Sequence, residues 1–528
     1  MGCFLISQSL SGFPIETDIL KLLPETRTDP LTERAYRQFE TASGRKVVFL
    51  IASESAEEAA VSSESFYQSM LDSGLFEKIS YKVDPERAKK TYEVYFPHRQ
   101  ALLSDEQRRA LLEEQSERIT SQATKSLLSP ISTGSANLVN DPLFTFTEFL
   151  RELQSQGAAF TIDGELLRAE KDGVNSVVLV GVLKENAFSM TAQARFKDFY
   201  QTAKRIAESQ GSDVQVLSAG VIHHAIAGTD SARHDISTIG VGSLVGVVVL
   251  VLVAFRSVGP LLVSAIPIVV GCVCALAVCV LIFDKVHLFT LVFGSSLIGV
   301  SIDYSFHYFS ERLGAGASWD PRQGLKNIFP GVTLGLVTSL AAYLAMAIAP
   351  FSGLQQIALF STVGLTAAYL TVILWYPGLL PHAARSTRPL TLEVAQQYIS
   401  CWPEGKLLKQ KAVFALACCA MTAFLASHLQ VDDNVRALQD SPPGVLAEEE
   451  LVKEIVGTSS GSQFFVVRGS SADSVLVDEE TLTILLDEQV QKGALKRYRA
   501  ISKVLPSAAR QMENYSLLRD QVLSLIHI

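Results

Sequence analysis

Residues 294–309 read GSSLIGVSIDYSFHYF, and the flank that begins at Leu288 is apolar enough to sit in lipid, yet Asp303 places a carboxyl group deep inside the run. A carboxylate near the middle of a spanning helix is penalised by about 2.5 to 3.5 kcal/mol on insertion scales. A polar residue that only joins helices through a hydrogen bond returns about 0.6 kcal/mol on average, so interhelical glue hardly offsets the cost. Ser295, Gly299, Asp303 and His307 recur every four residues and line one slowly turning helix face. The small residues Ser295 and Gly299 let a neighbouring helix approach closely. Tyr304 sets a hydroxyl next to the carboxyl, and Ser301 and Ser305 add polar atoms around it. A carboxyl that loses its water in such a place can take and release protons near neutral pH, which makes Asp303 and Tyr304 a candidate proton relay. His307 either extends that relay or is an ordinary interfacial histidine.

The rest of the chain fits a membrane setting. Hydrophobic residues make up 48% of the 528 and charged ones only 19%, more apolar than one soluble core explains. Six apolar runs approach the roughly 20 helical residues needed to cross hydrocarbon: 236–255, 261–283, 288–309, 328–349, 354–379 and 411–429. If the spans alternate, Arg256, Arg312, Arg322, Lys326, Arg385 and Arg388 fall on one side together with Lys406, Lys409 and Lys411, and only Lys285 falls opposite. That side is expected to be cytoplasmic, with Trp375 and Tyr376 as an interfacial belt. The long polar regions are then extracytoplasmic.

The net charge of -9, without a basic stripe, argues against nucleic acid as a partner. The seven cysteines lie in or beside apolar segments or in one short linker, and no CxxC pair or Cys/His cluster suggests a metal. The histidine pair His223-His224 is expected in an exposed loop, with no ligand partner at suitable spacing. No GxxxxGK[ST], GxGxxG after a strand, HExxH or GxSxG motif is present. No cofactor is therefore expected, an enzyme is poorly supported, and protons are the expected coupling ion.

The chain also repeats itself. IETDILKLL (15–23) is answered by VDDNVRALQ (431–439), SGRKVVFLIAS (43–53) by SGSQFFVVRGS (460–470), and SAEE at Ser55 by SADS at Ser471, all at an offset near 416 residues. Residues 1–13 are accordingly expected to be the outer part of a truncated first span. The expected domains are an extracytoplasmic α+β domain at 14–235, five spans within 236–379, a cytoplasmic linker at 380–410, a further span at 411–430 and an incomplete second extracytoplasmic domain at 431–528. In the first, KVVFLIA (46–52) predicts a strand, Ser55 opens a helix carrying Ala59, Ser63, Phe66 and Met70, and Asp72-Ser73-Gly74 ends it. NSVVLVGVL (175–183) predicts a second strand before a helix carrying Phe196, Phe199, Tyr200, Ala203 and Ile206, and 213–217 a third. Two α+β subdomains, each with its own sheet, are expected. Residues 105–128 form either a projecting arm or a solvated surface helix, the second being preferred.

These residues resemble the resistance-nodulation-division superfamily, and within it the MMPL-type exporters, over nearly the whole chain. The resemblance rests on GSSLIGVSIDYSFHYF, TSLAAYLAMA (338–347), GLQQIALFSTVGLTAAYL (353–370) with PGLLP after it, SAGVIHHAIAG (218–228) and IETDILKLLP (15–24). It implies a polytopic helical membrane protein whose repeat is one span, an α+β porter domain and five spans. It further implies Asp-Tyr pairs in the fourth and tenth spans, the first matching Asp303-Tyr304. The implied activity is proton-driven export of lipid-like or other hydrophobic molecules from the inner membrane, with second-half spans or a second copy as partners. Two other readings are a SecDF-like accessory to protein translocation and a sterol-sensing-like module that binds lipid without pumping.

Overall fold

The computed structural model describes residues 15–17, 29–82, 84–128, 140–155, 161–163, 165–171, 173–295, 297–379, 397, 408–429, 441–456, 464–495 and 497–523. The expected truncated span at 1–13 and nearly all of the linker at 380–410 lie outside them. Two compact units emerge, one of Met1–Asp29, Glu185–Lys197 and Val221–Pro443, the other of Pro30–Lys184, Asp198–Gly220 and Gly444–Ile528.

The second unit is built on a single sheet. Helix α1 (Pro30–Gly44) leads into strand β1 (Lys46–Ser53), helix α2 (Ala56–Ser73) and strand β2 (Phe76–Ser80). Strands β3 (Thr161–Asp163), β4 (Leu166–Lys171) and β5 (Val174–Leu183) follow, then helix α3 (Met190–Glu208) and strand β6 (Gln215–Gly220). Their order is β3–β4–β5–β1–β6, with β2 also on β5, and every pairing is antiparallel. The two expected sheets are therefore one. Its centre is the apolar pair β1 and β5, in register at Phe49 and Leu179, each long enough to recruit strands from both expected subdomains.

β1 reads as a continuous apolar run because both of its faces are covered. Phe49 meets the rings of Phe66, Phe76, Phe199 and Tyr200 at centroid distances of 4.9, 6.2, 6.4 and 6.2 Å. On the other face Leu50 clusters with Ala169, Val178, Val452 and Val456. The last two belong to the helix Pro443–Val456, so the segment expected to begin a separate second domain closes the first one's sheet. Burial, with Glu448 adjacent, pushes the Tyr200 hydroxyl above the usual phenol range, so it stays protonated and donates to Glu448 Oε2 at 3.2 Å.

α2 buries Ala59, Ser63, Phe66 and Met70, starts with the Ser55 hydroxyl accepting from the Glu58 amide, and stops at Gly74, whose φ of 61° suits a residue without a side chain. The repeat is visible here: the helix Ala472–Gln491 starts with Ser471 capping the Ser474 amide, 416 residues after Ser55. Residues 464–469, answering part of β1, form no strand. Ser55→Ala is expected to lower stability by about 1 kcal/mol through loss of the cap, read as a small drop in the melting temperature of the purified chain.

One further expectation changes and another is refined. In α3, Ile206 is 40% exposed and Ala207 is buried instead. Residues 105–128 form two helices, Asp105–Leu112 and Ser116–Leu128, and Leu111 and Ile119 cluster with Leu518 and Val522. They are surface helices with one face packed and the other exposed, not a projecting arm.

The first unit holds the membrane helices: α4 (Val221–Phe255), α5 (Val258–Phe283), α6 (Leu288–Ser295), α7 (Leu297–Ala315), α8 (Pro321–Ala347) and α9 (Ser352–Leu379). With α6 and α7 counted as one span, five helices among the described residues are long and apolar enough to cross a membrane. Helix α10 (Leu408–Ser427) contains a shorter apolar stretch, Ala412–Ser427, and is not among them. α4 begins 15 residues before the apolar run, so His223 and His224 sit on a helix, not in a loop. His224 Nδ1 lies 2.8 Å from the Ser441 hydroxyl, and His223 meets the Phe196 ring edge-on at 5.3 Å. Exposed apolar side chains such as Val241, Leu244 and Val249 on α4 and Leu334 on α8 suit a hydrocarbon surrounding.

Candidate functional site

The face of α7 opposite Asp303 is locked by packing. Ile302 clusters with Val247 and Val251 of α4. Tyr304, 5% exposed, meets Tyr369 of α9 edge-on at 5.8 Å, and Tyr369 Oη lies 2.7 Å from Thr333 Oγ1 of α8. Tyr308 is fully buried, with rings of Trp319 and Tyr376 each 5.4 Å away, and donates to the Pro321 carbonyl at 3.0 Å. Tyr376 Oη donates to the Val263 carbonyl at 3.2 Å. Its single proton is thereby used, so the Ser305 hydroxyl, 2.6 Å away, donates to it.

With that side fixed, the helical period decides where the acid goes. Gly299, Asp303 and His307 lie four residues apart and all three are exposed among the described residues. Tyr304, one residue after Asp303, turns inward to Tyr369, and no hydrogen bond joins it to Asp303 among the described residues, so the pair straddles the helix. The expected close approach at Gly299 is not made: a methyl group built there meets nothing within 4 Å. The side chain of Ser295, at the end of α6, lies outside the description. Tight helix contact occurs instead between α5 and α9, where a methyl on Gly271 would come within 2.8 Å of the Gly364 carbonyl oxygen.

The aromatic lock was not anticipated. Tyr376 was expected with Trp375 in an interfacial belt, yet Trp375 is 51% exposed and Tyr376 fully buried. Adjacent helical residues point about 100° apart, so one can face outward while the other reaches Ser305. Tyr376→Phe leaves the Ser305 hydroxyl and the Val263 carbonyl without their partner, and is expected to cost about 1 to 2 kcal/mol. Unfolding in detergent checks this; an unchanged midpoint would contradict it. Among the described residues no three His, Cys, Asp or Glu side chains gather where a metal could bind.

Residues 163–406 match the family model described as MMPL family. No curated protein matches the chain. Among solved structures, two crystal forms of a heavy metal efflux pump align with 16% identity over 48% of this chain and 24% of theirs, with TM-scores of 0.34 and 0.33. The chain thus spans about a quarter of the length of those structures.

Proposed function

We propose that this chain, an RND/MMPL-type polytopic membrane protein by its MMPL-family segment at 163–406, exports lipid-like or other hydrophobic molecules at the expense of a proton gradient. The observation that carries this reading is the orientation of Asp303. An ionisable side chain on a spanning helix favours protein or water over lipid, and the described helices leave Gly299, Asp303 and His307 exposed on α7. The exposed stripe of Gly299, Asp303 and His307 is therefore the surface for a further helix, supplied by additional spans of the same protein or by a second copy. Between two such faces Asp303 carries the proton, with His307 linking it to the membrane surface, while Tyr304, packed inward on Tyr369, adjoins the relay from the buried side.

On this reading the protein works in the inner membrane with the sheet-bearing unit outside, and protons are the coupling ion with no cofactor. The test is accumulation of a hydrophobic fluorescent substrate in inverted membrane vesicles carrying the full-length protein under an imposed pH gradient. Accumulation that a protonophore abolishes supports the reading. Accumulation that persists without a gradient, or never exceeds empty vesicles, ends it.

A further inference from the structure

Helix α1 buries none of its residues, although it carries Leu31, Tyr36 and Phe39. One side rests on Phe464, whose ring centroid lies 4.7 Å from that of Phe39 and 6.1 Å from that of Tyr36. A different stripe, with Glu33, Arg34, Arg37, Gln38 and Thr41 at successive helical turns, looks across an open groove toward the ends of β1, β2 and β5. The groove measures about 830 Å³, within the range of ligand sites and much larger than a small inorganic ion needs.

Its charge is unlike that of the chain. Arg34, Arg37, Arg45, Lys46 and Lys78 line it against only two carboxylates, Glu33 and Glu77, whereas the whole protein carries -9. Both carboxylates are engaged, Glu33 by Arg37 and Glu77 by Arg45. Arg45 is held further by donating from Nε to the Leu183 carbonyl at 2.7 Å. Arg34, Lys46 and Lys78 pair with no carboxylate among the described residues. These three cations, uncompensated among the described residues, reach the same groove from a helix and two strands and create a local positive potential. Ala42 and Val182, with the methylene stems of the basic residues, give the same groove apolar wall.

We propose that this groove binds an anionic amphiphile, a lipid with a phosphate headgroup, the headgroup lying among Arg34, Lys46 and Lys78 and the hydrocarbon along the apolar wall. The proposal deepens the exporter reading and rests on it for the meaning of the site, while its binding test does not depend on pumping.

The test uses the full-length protein in neutral detergent, titrated with fluorescent lysophosphatidic acid and followed by anisotropy. The triple variant Arg34→Gln, Lys46→Gln, Lys78→Gln is expected to weaken binding about tenfold, the sum of three partly screened charge contacts. Lysophosphatidylcholine is expected to bind more weakly and to be unaffected by the variant. Inorganic phosphate at a comparable concentration is expected to displace nothing. Unchanged affinity in the triple variant overturns the proposal, and so does displacement by phosphate alone, which would mark a site for free anion. Should the triple variant melt earlier than the parent, each single variant must show part of the loss, and none doing so also overturns it. A protein that binds the probe but exports nothing in a proton gradient keeps the groove and loses the exporter reading. One that exports but ignores the probe loses only the groove.

Discussion

Asp303→Asn is expected to reduce gradient-driven accumulation in inverted vesicles from about 50-fold to about unity, while the protein still inserts and folds. The size follows from the energy available. One elementary charge moved through 100 mV yields about 2.3 kcal/mol, which at about 1.4 kcal/mol per decade is a ratio of about 50. An amide is nearly the shape of the carboxyl but exchanges no proton, so this contribution disappears entirely. Folding is expected to survive because Asp303 is exposed on α7 and makes no hydrogen bond to the aromatic lock behind it. Removing a charge from a spanning helix also eases insertion. Asp303→Glu, which keeps the titrating group one methylene further out, is expected to retain part of the activity. A module that only binds lipid predicts the opposite, namely full function in the amide variant. Full accumulation by Asp303→Asn would therefore end the proton-relay assignment, whatever the protein exports.

What the sequence made legible was local. α2 could be read from the spacing of Ala59, Ser63, Phe66 and Met70, the cap at Ser55 and the stop at Gly74, and all four side chains are buried as their period demands. The cap at Ser471 could be read too, because a repeat preserves short capping patterns even where the flanking strand does not form. Partner choice was not legible. Nothing in KVVFLIAS says that β1 pairs with both β5 and β6 in one sheet, or that Val452 and Val456 cover its second face. The same limit applied to the candidate site. The four-residue spacing put Gly299, Asp303 and His307 on one face, but which way that face points depends on Tyr304, Ser305 and Tyr308 finding Tyr369, Tyr376 and Pro321 on other helices. A signal existed in those hydroxyl-bearing residues, which are costly in lipid unless paired. Pairing Ser305 with Tyr376 required knowing that α7 and α9 are neighbours.

The same reasoning separates glycines that look alike in the sequence. Gly271→Leu is expected to be strongly disruptive, costing about 3 kcal/mol or more, at the upper end of overpacking effects. Its first added carbon would lie 2.8 Å from the Gly364 carbonyl oxygen and 3.4 Å from the Ala368 methyl. A backbone oxygen cannot swing aside as a side chain can, so α5 and α9 must separate. That separation would propagate, because α9 also carries Tyr369 and Tyr376, which hold α7 in the rotation that presents Asp303. Loss of monodisperse protein in detergent, with a lowered unfolding midpoint in whatever survives, is the expected readout. Gly299→Ala, by contrast, meets nothing within 4 Å among the described residues and is expected to leave stability unchanged. If it impairs export while the protein stays folded, the loss locates the helix that closes over Asp303. If Gly271→Leu folds and melts like the parent, the contact between α5 and α9 is not what orients the acid.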